Sequence, residues 1–285
     1  MHTAGQKMTN KKNKIDTYIG MCRELLGSLF FPARCLVCNE ILEPEIAKSG
    51  IHPACKNKLY PILGAVCMHC GRPIGNYNSG KRETKYEITY EPADEVAYET
   101  AKEYCRDCII KGYNRNSAIK QAKSLYIYKG AIKKSMYRFK YSNQREYADF
   151  FAREAMKKYG AWMKQAGIEV IVPVPMYLPK QRRRGYNQAE CFANRLSACV
   201  DIPVNTKIVR RILDTRPQKE LDDKQRKENL KKAFQSAGNV VQYKCVLVVD
   251  DIYTTGSTAE AVARELIKEG AHRVYVMTVC IGGDV

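Results

Sequence analysis

Acidic residues are scarce in this chain. Of its 285 residues, 30 are Asp or Glu against 48 Lys or Arg, a formal charge of +18. That imbalance says nothing about fold, but it favours polyanionic partners: nucleic acid, phosphorylated ligands or an acidic membrane surface. Long apolar runs are missing too. No stretch approaches the roughly 18 residues that a membrane-spanning helix needs, so no membrane insertion is expected. The basic start, MHTAGQKMTNKKNK, is not followed by a signal-type apolar core, because Arg23 and Glu24 interrupt Tyr18–Phe31. The expectation is a cytoplasmic protein. Hydrophobic residues, at 45%, are not scarce, and wholesale disorder is excluded.

Cysteine is the opposite case. Twelve are present, eight of them before residue 110. Disulfides are rare in the cytoplasm, so cysteines paired at short spacing suggest metal. Three C-x-x-C pairs occur, Cys35/Cys38, Cys67/Cys70 and Cys105/Cys108, with a mixed fourth, His52/Cys55. Two intervening residues let one tight turn present both side chains to a tetrahedral ion, and a second turn completes the shell. Taken in order, the simplest pairing gives one site from Cys35, Cys38, His52 and Cys55. A second site then uses Cys67, Cys70, Cys105 and Cys108. The spacing allows one structural zinc ion or two. No thioredoxin-like βαβ pattern surrounds the pairs, which weighs against redox chemistry. Residues 32–110 hold too little apolar content for an independent core, so metal would supply much of the folding energy there.

The flanking segments are less informative. Ile15–Phe31 has the apolar spacing of an amphipathic helix. The stretch between Cys70 and Cys105 is rich in Tyr, Lys and Glu, with a short strand expected over Thr84–Tyr90. It reads first as a solvated insertion, and second as a surface whose tyrosines stack bases.

From residue 122 the texture changes. Strands are expected over Ser124–Tyr128, Glu169–Val174, Lys207–Ile212, Lys244–Val249 and Arg273–Val279. Helices are expected over Ala131–Tyr141, Glu146–Tyr159, Asn187–Ala198 and Ser257–Glu269. Aliphatic runs alternating with helices give an α/β fold: a parallel sheet with helices on both faces, preceded by a small N-terminal zinc-ribbon module. The proposed division is 1–31 as basic N-terminus and helix, 32–115 as double zinc ribbon, and 116–285 as the α/β domain.

In such sheets ligands bind at the carboxyl ends of strands. One strand ends there in VLVVDDIYTTGST, residues 246–258. Asp250 and Asp251 stand side by side at the rim, where like charges repel and gain nothing by themselves. Thr254, Thr255, Gly256, Ser257 and Thr258 then form a small hydroxylated loop before a helix, a suitable cradle for phosphate. Adjacent carboxylates accept hydrogen bonds from a ribose diol, so the implied ligand is a sugar phosphate. A dense anion site is also expected at Lys180, Arg182, Arg183, Arg184 and Gly185. Trp162 is expected in the core.

The 246–258 stretch resembles the loop of type I phosphoribosyltransferases that binds phosphoribosyl pyrophosphate (PRPP). VPVPMYLPKQRRRGYNQAE (172–190) and RRILDTRPQKELDDKQRKENLKKAF (210–234) narrow the likeness to the ComF family of competence-associated proteins, which combine a zinc ribbon with a phosphoribosyltransferase-type domain. The resemblance spans roughly residues 30–285. It implies that Asp250 and Asp251 contact the ribose hydroxyls, partly through Mg²⁺, and that residues 254–258 hold the 5′-phosphate. It also implies a closing loop over 210–232 in which Arg216, Gln218, Leu221, Arg226 and Asn229 match the family pattern. His52 stands where the family often has Cys. Thr254 stands where purine-salvage enzymes usually carry an acidic general base, which argues against purine salvage. The first functional expectation is a competence protein binding PRPP and single-stranded DNA, with a helicase partner and a homodimer in prospect. The second is an active Mg²⁺-dependent phosphoribosyltransferase acting on a nitrogen acceptor. The third is a sensor of PRPP.

Overall fold

The computed structural model describes residues 32–74, 103–112, 116–214, 230, 232–236 and 242–282. The expected helix over Ile15–Phe31, the strand over Thr84–Tyr90 and the family-matched positions Arg216, Gln218, Leu221, Arg226 and Asn229 lie outside the described residues. The chain divides into two compact units, Met1–Lys56 and Asn57–Val285. The packing boundary therefore falls between the two cysteine clusters, whereas a division by sequence module keeps 32–115 together.

In the first unit, α1 (Pro44–Ala47) and α2 (Pro53–Lys56) are single turns. Both open on proline, whose missing N–H has no intrahelical partner at that position in any case. An antiparallel bridge joins Arg34 to Ile41. Among the described residues of this unit, Leu36, Val37, Leu42 and Ile51 are buried beside Cys35 and Cys55.

The second unit contains α3 (Arg106–Ile110), β1 (Ile119–Ile127), α4 (Ala131–Tyr141), α5 (Tyr147–Ala166), β2 (Val170–Pro173), α6 (Leu178–Arg184), α7 (Gln188–Val200), β3 (Val209–Arg211), β4 (Phe234–Ser236), β5 (Cys245–Tyr253), α8 (Ser257–Lys268) and β6 (Arg273–Ile281). The main sheet has the order β1-β6-β5-β2, with every neighbouring pair parallel. Cys245 to Val249 are fully buried, because helices cover both sides and neither face of the strand can be polar. Truncating Leu247 to alanine here would cost about 2–5 kcal/mol.

Side-chain alternation sorts the two faces. Ala122, Val246, Val248, Val274 and Val276 share a cluster with Val262, Ala263 and Leu266 of α8, and with Cys67, Cys70 and Cys108. The second cysteine cluster thus packs on the α8 face of the sheet. On the opposite side α5 and α7 pack on each other, α7 over β2 and β5 and α5 over β1. The strand expected over Lys207–Ile212 is present as β3, but it pairs antiparallel with β4 in a separate ribbon. The reason is its half-covered pattern: Val209 is buried and Arg210 exposed, which suits an antiparallel pair with one wet face. Among the described residues no helix is long and apolar enough to cross a membrane.

Candidate functional site

The two acids lie within β5 rather than beyond it, since the strand continues to Tyr253. Asp250 is in register with Thr278 of β6, and its Oδ1 accepts the Asp251 N–H at 2.8 Å. Asp251 Oδ2 lies 3.0 Å from Lys140 Nζ at the C-terminal turn of α4. Burial first, and then the neighbouring Asp251 carboxylate, push Asp250 up to about 7. Burial works against the Lys140 ammonium, yet Asp251 and Asp250 together hold it above its ordinary range. The site therefore concentrates negative charge around one lysine, an arrangement suited to a cation or to the hydroxyls of a diol.

The loop after β5 is built for close approach. Gly256 has φ +77°, and a Cβ there would collide with the Tyr253 hydroxyl, so no larger residue fits. Thr255 Oγ1 and Ser257 Oγ lie 2.9 Å apart, and the Ser257 N–H points to Thr255 Oγ1 at 3.4 Å. Asp250, Tyr253, Thr254, Gly256, Ser257 and Thr258 line one cleft with Thr278. Asp250 is thus brought together with most of the hydroxyl loop, while Asp251 turns to Lys140 and Thr255 lines a neighbouring cleft with Cys70 and Arg72. The hydroxyls, the glycine and the start of α8 fit a phosphate group.

The basic segment is distributed differently. Lys180, Arg182, Arg183 and Arg184 belong to α6, with Gly185 at its end. Arg182 lines a cavity of about 520 Å³ with Arg210, Arg211, Glu190 and Tyr177. Arg184 stacks 4.8 Å over the Tyr141 ring and donates to Gln188 at 2.5 Å. Gly185 accepts from Arg145 at 3.3 Å. The rest of the R-G-Y-N-Q stretch reaches α4 and α7: Tyr186 donates to the Phe139 carbonyl, Gln188 Nε2 to the Lys140 carbonyl, and Asn187 caps α7 while holding the Val174 carbonyl. This stretch fixes the end of α4, and with it Lys140.

Both sets of candidate metal ligands converge. Cys35, Cys38, His52 and Cys55 form one group and Cys67, Cys70, Cys105 and Cys108 the other, with all donor atoms of a group within 4.8 Å of one another. In the first, His52 Nδ1 is 3.4 Å from Cys38 Sγ. Burial opposes ionisation of Cys35, but backbone N–H groups of Cys38, His52 and Val37 bring it down to about 6. In the second, the thiols of Cys105, Cys108 and Cys70 pull Cys67 well below the ordinary thiol range. Paired turns that converge S₃N and S₄ donor sets fit zinc, which would serve as a closed structural ion.

The second cluster is wired into the sheet. Gly71, at φ +73°, lies so close that a Cβ would sit 2.5 Å from the Ala122 carbonyl oxygen. Ala122 N–H donates to the His69 carbonyl at 2.6 Å, and His69 Nδ1 is 3.4 Å from Cys108 Sγ. Arg72 donates to Asp107 Oδ2 at 2.6 Å and to the Gly282 carbonyl at 3.4 Å. Gly282 N–H in turn donates to the Tyr253 carbonyl at 2.7 Å. Cys70, Arg72 and Asp107 share a small cleft with Tyr253, Thr254 and Thr255.

Comparison with known proteins agrees with this arrangement. Residues 26–109 match the double zinc ribbon domain and residues 183–284 the phosphoribosyl transferase domain. Competence protein F of Haemophilus influenzae is 30% identical over 256 residues, covering 87% of this chain and 96% of that protein. The chain belongs to the ComF family. Competence protein ComFC of Bacillus subtilis is 25% identical, covering 76% of this chain and 78% of its own length. DNA utilization protein YhgH of Escherichia coli is 31% identical over 148 residues, covering 51% of this chain and 65% of that relative.

Two residues of this ComF-family site escape a reading of sequence alone. Lys140 lies in SMYRFKYSNQR, where nothing distinguishes it from the two other cations, Arg138 and Arg145. Only the crossing of α4 over the end of β5 brings it to Asp251. Arg72 directly follows a knuckle glycine and reads as a surface arginine. Its contact at Gly282 spans 210 residues of sequence, and no local pattern signals such a pairing.

Proposed function

We propose that this ComF-family chain serves DNA uptake or utilisation in the cytoplasm, binding PRPP at the β5 site and single-stranded DNA at its basic surface. The observation that carries the PRPP half is Asp250 in one cleft with Thr254, Gly256, Ser257 and Thr258, next to Asp251, which pairs with Lys140. In this reading Asp250 and Asp251 accept hydrogen bonds from the ribose diol and help hold Mg²⁺, which supplies charge neutralisation for the pyrophosphate. The loop and the start of α8 hold the 5′-phosphate. The relatives named for competence and for DNA utilisation support the DNA half, as does the +18 charge.

A second reading is phosphoribosyl transfer to a nitrogen acceptor. The intact acids favour it, because a protein that only binds DNA has no need of two repelling carboxylates. The cavity holding Arg182, Arg210 and Arg211 lies at the carboxyl end of β2, where cations would stabilise developing pyrophosphate charge.

Calorimetric titration of PRPP into the zinc-loaded protein, with and without Mg²⁺, tests the site. Binding that needs Mg²⁺ and is lost in Asp250→Asn/Asp251→Asn is the expected result. No binding to the folded protein removes both readings of the PRPP site. Pyrophosphate release on adding an acceptor separates transfer from binding alone.

A further inference from the structure

Helix α4 presents two faces with unlike chemistry. Ile132, Met136 and Phe139 are fully buried, so its apolar stripe is already used by the protein's own core. The outward face carries Lys133, Lys134, Tyr137 and Tyr141, and the helix has no acidic residue. Tyr137 and Tyr141 are 63% and 61% exposed, and their rings lie 5.0 Å apart, tilted at 47°. One cation sits on the pair, Arg184 at 4.8 Å over Tyr141, and Lys133 and Lys134 are exposed on the same helix. Aromatic rings left in solvent within a cationic rim are the composition of an interaction surface.

We infer that this face of α4 is the track on which single-stranded DNA stacks. The inference rests on the DNA-handling reading above and assigns that activity a place. Bases stack on exposed tyrosines without regard to sequence, while lysines and arginines beside them take the phosphates. A lipid surface fits less well, because an interfacial helix needs an apolar face to bury and α4 has none to spare. A duplex fits less well too, since its bases are already stacked on one another. The same helix ends in Lys140 at the acids of β5, so the DNA track and the PRPP site share one element and its opposite sides.

The test is anisotropy of a dye-labelled oligothymidine with the full-length, zinc-loaded protein. Tyr137→Ala/Tyr141→Ala is expected to weaken binding about 30-fold or more, given roughly 5- to 150-fold per stacked ring. Tyr137→Phe/Tyr141→Phe keeps the ring faces and is expected to bind like the parent. Lys133→Gln/Lys134→Gln is expected to lower the slope of log K against log salt by about 1.4, at about 0.7 per phosphate contact. Unchanged melting and zinc content separate these effects from misfolding. If the parent binds and the double alanine variant binds equally well, the track is wrong while the DNA reading stands. If the parent binds no single-stranded DNA, both fall. Stronger binding to oligouridine, to the duplex or to anionic vesicles, lost in the alanine variant, overturns single-stranded DNA as the occupant.

Discussion

The two cysteine clusters have nearly the same chemistry and unlike settings. The first holds Cys38 exposed and His52 half-exposed among single-turn helices and a handful of buried side chains. The second has three of its four cysteines buried and shares a hydrophobic cluster with the sheet. Its backbone bonds to Ala122, and its neighbour Arg72 reaches the strand end that supports the Tyr253–Thr255 loop. The lesson is that a zinc ribbon can fold its own segment or serve as part of another domain's wall. The choice is made by what packs on it, not by its ligands.

The largest expected effect sharpens this contrast. Cys70→Ser is expected to lower the main melting transition by roughly 10 °C or more, because metal loss there removes folding energy from the sheet's own packing. Cys38→Ser is expected to lose its zinc while moving that transition by about 2 °C or less. Calorimetric melting with zinc analysis checks both. Equal shifts would erase the distinction between the clusters.

Lys140→Met comes next. It leaves Asp251 without its paired cation, at a cost of about 3 kcal/mol, the low end for breaking a buried pair because both side chains are partly exposed. Added Mg²⁺ is expected to restore part of the loss, read as a rise in melting temperature that the parent does not show. Arg72→Gln retains all eight metal ligands but removes the bridge from the ribbon to Gly282. Full zinc content with PRPP affinity lowered about tenfold is the expected pattern. Unchanged affinity would reduce the second ribbon to a folding element.

The smallest effect concerns pH. Asp250 ionises at about 7 in the folded protein against an ordinary value of 3.8. The unfolded chain therefore releases that proton first, and the stability this group contributes at acid pH is lost between about pH 4 and 7. Asp250→Asn, neutral throughout, is expected to melt higher than the parent at pH 8 without Mg²⁺. At pH 4 the two should melt alike. The same substitution is expected to weaken PRPP binding, which would make Asp250 a position whose cost in stability is kept for its ligand.

Much of this was legible in the residues themselves. Cysteine spacing picked out the eight side chains that the structure gathers into two clusters, because a tight turn imposes its own local geometry. The aliphatic run 246–249 announced a strand covered on both faces, and α4 has the bounds its periodicity indicated. Other elements resisted. Helix α5 runs on to Ala166, past Gly160 and beyond the expected end at Tyr159, because Trp162 and Met163 find partners on it: Trp162 donates to Gln121 at 3.1 Å and Met163 is buried. Residues 178–184 were legible only as a cluster of cations; that they form a helix, with Pro179 in its first turn, is a finding of the structure.

What the sequence determined by itself is local: cysteine turns, buried strands, two adjacent acids and the hydroxyl-rich loop after them. Each is set by residues within one turn or strand of each other. The tertiary structure alone decided that Lys140 faces Asp251, that Arg184 lies on Tyr141, and that the second ribbon belongs with the sheet. Those contacts join segments 43 to 210 residues apart. Their geometry follows from how α4 and the ribbon dock on the strands, a packing outcome that leaves no mark on the local sequence.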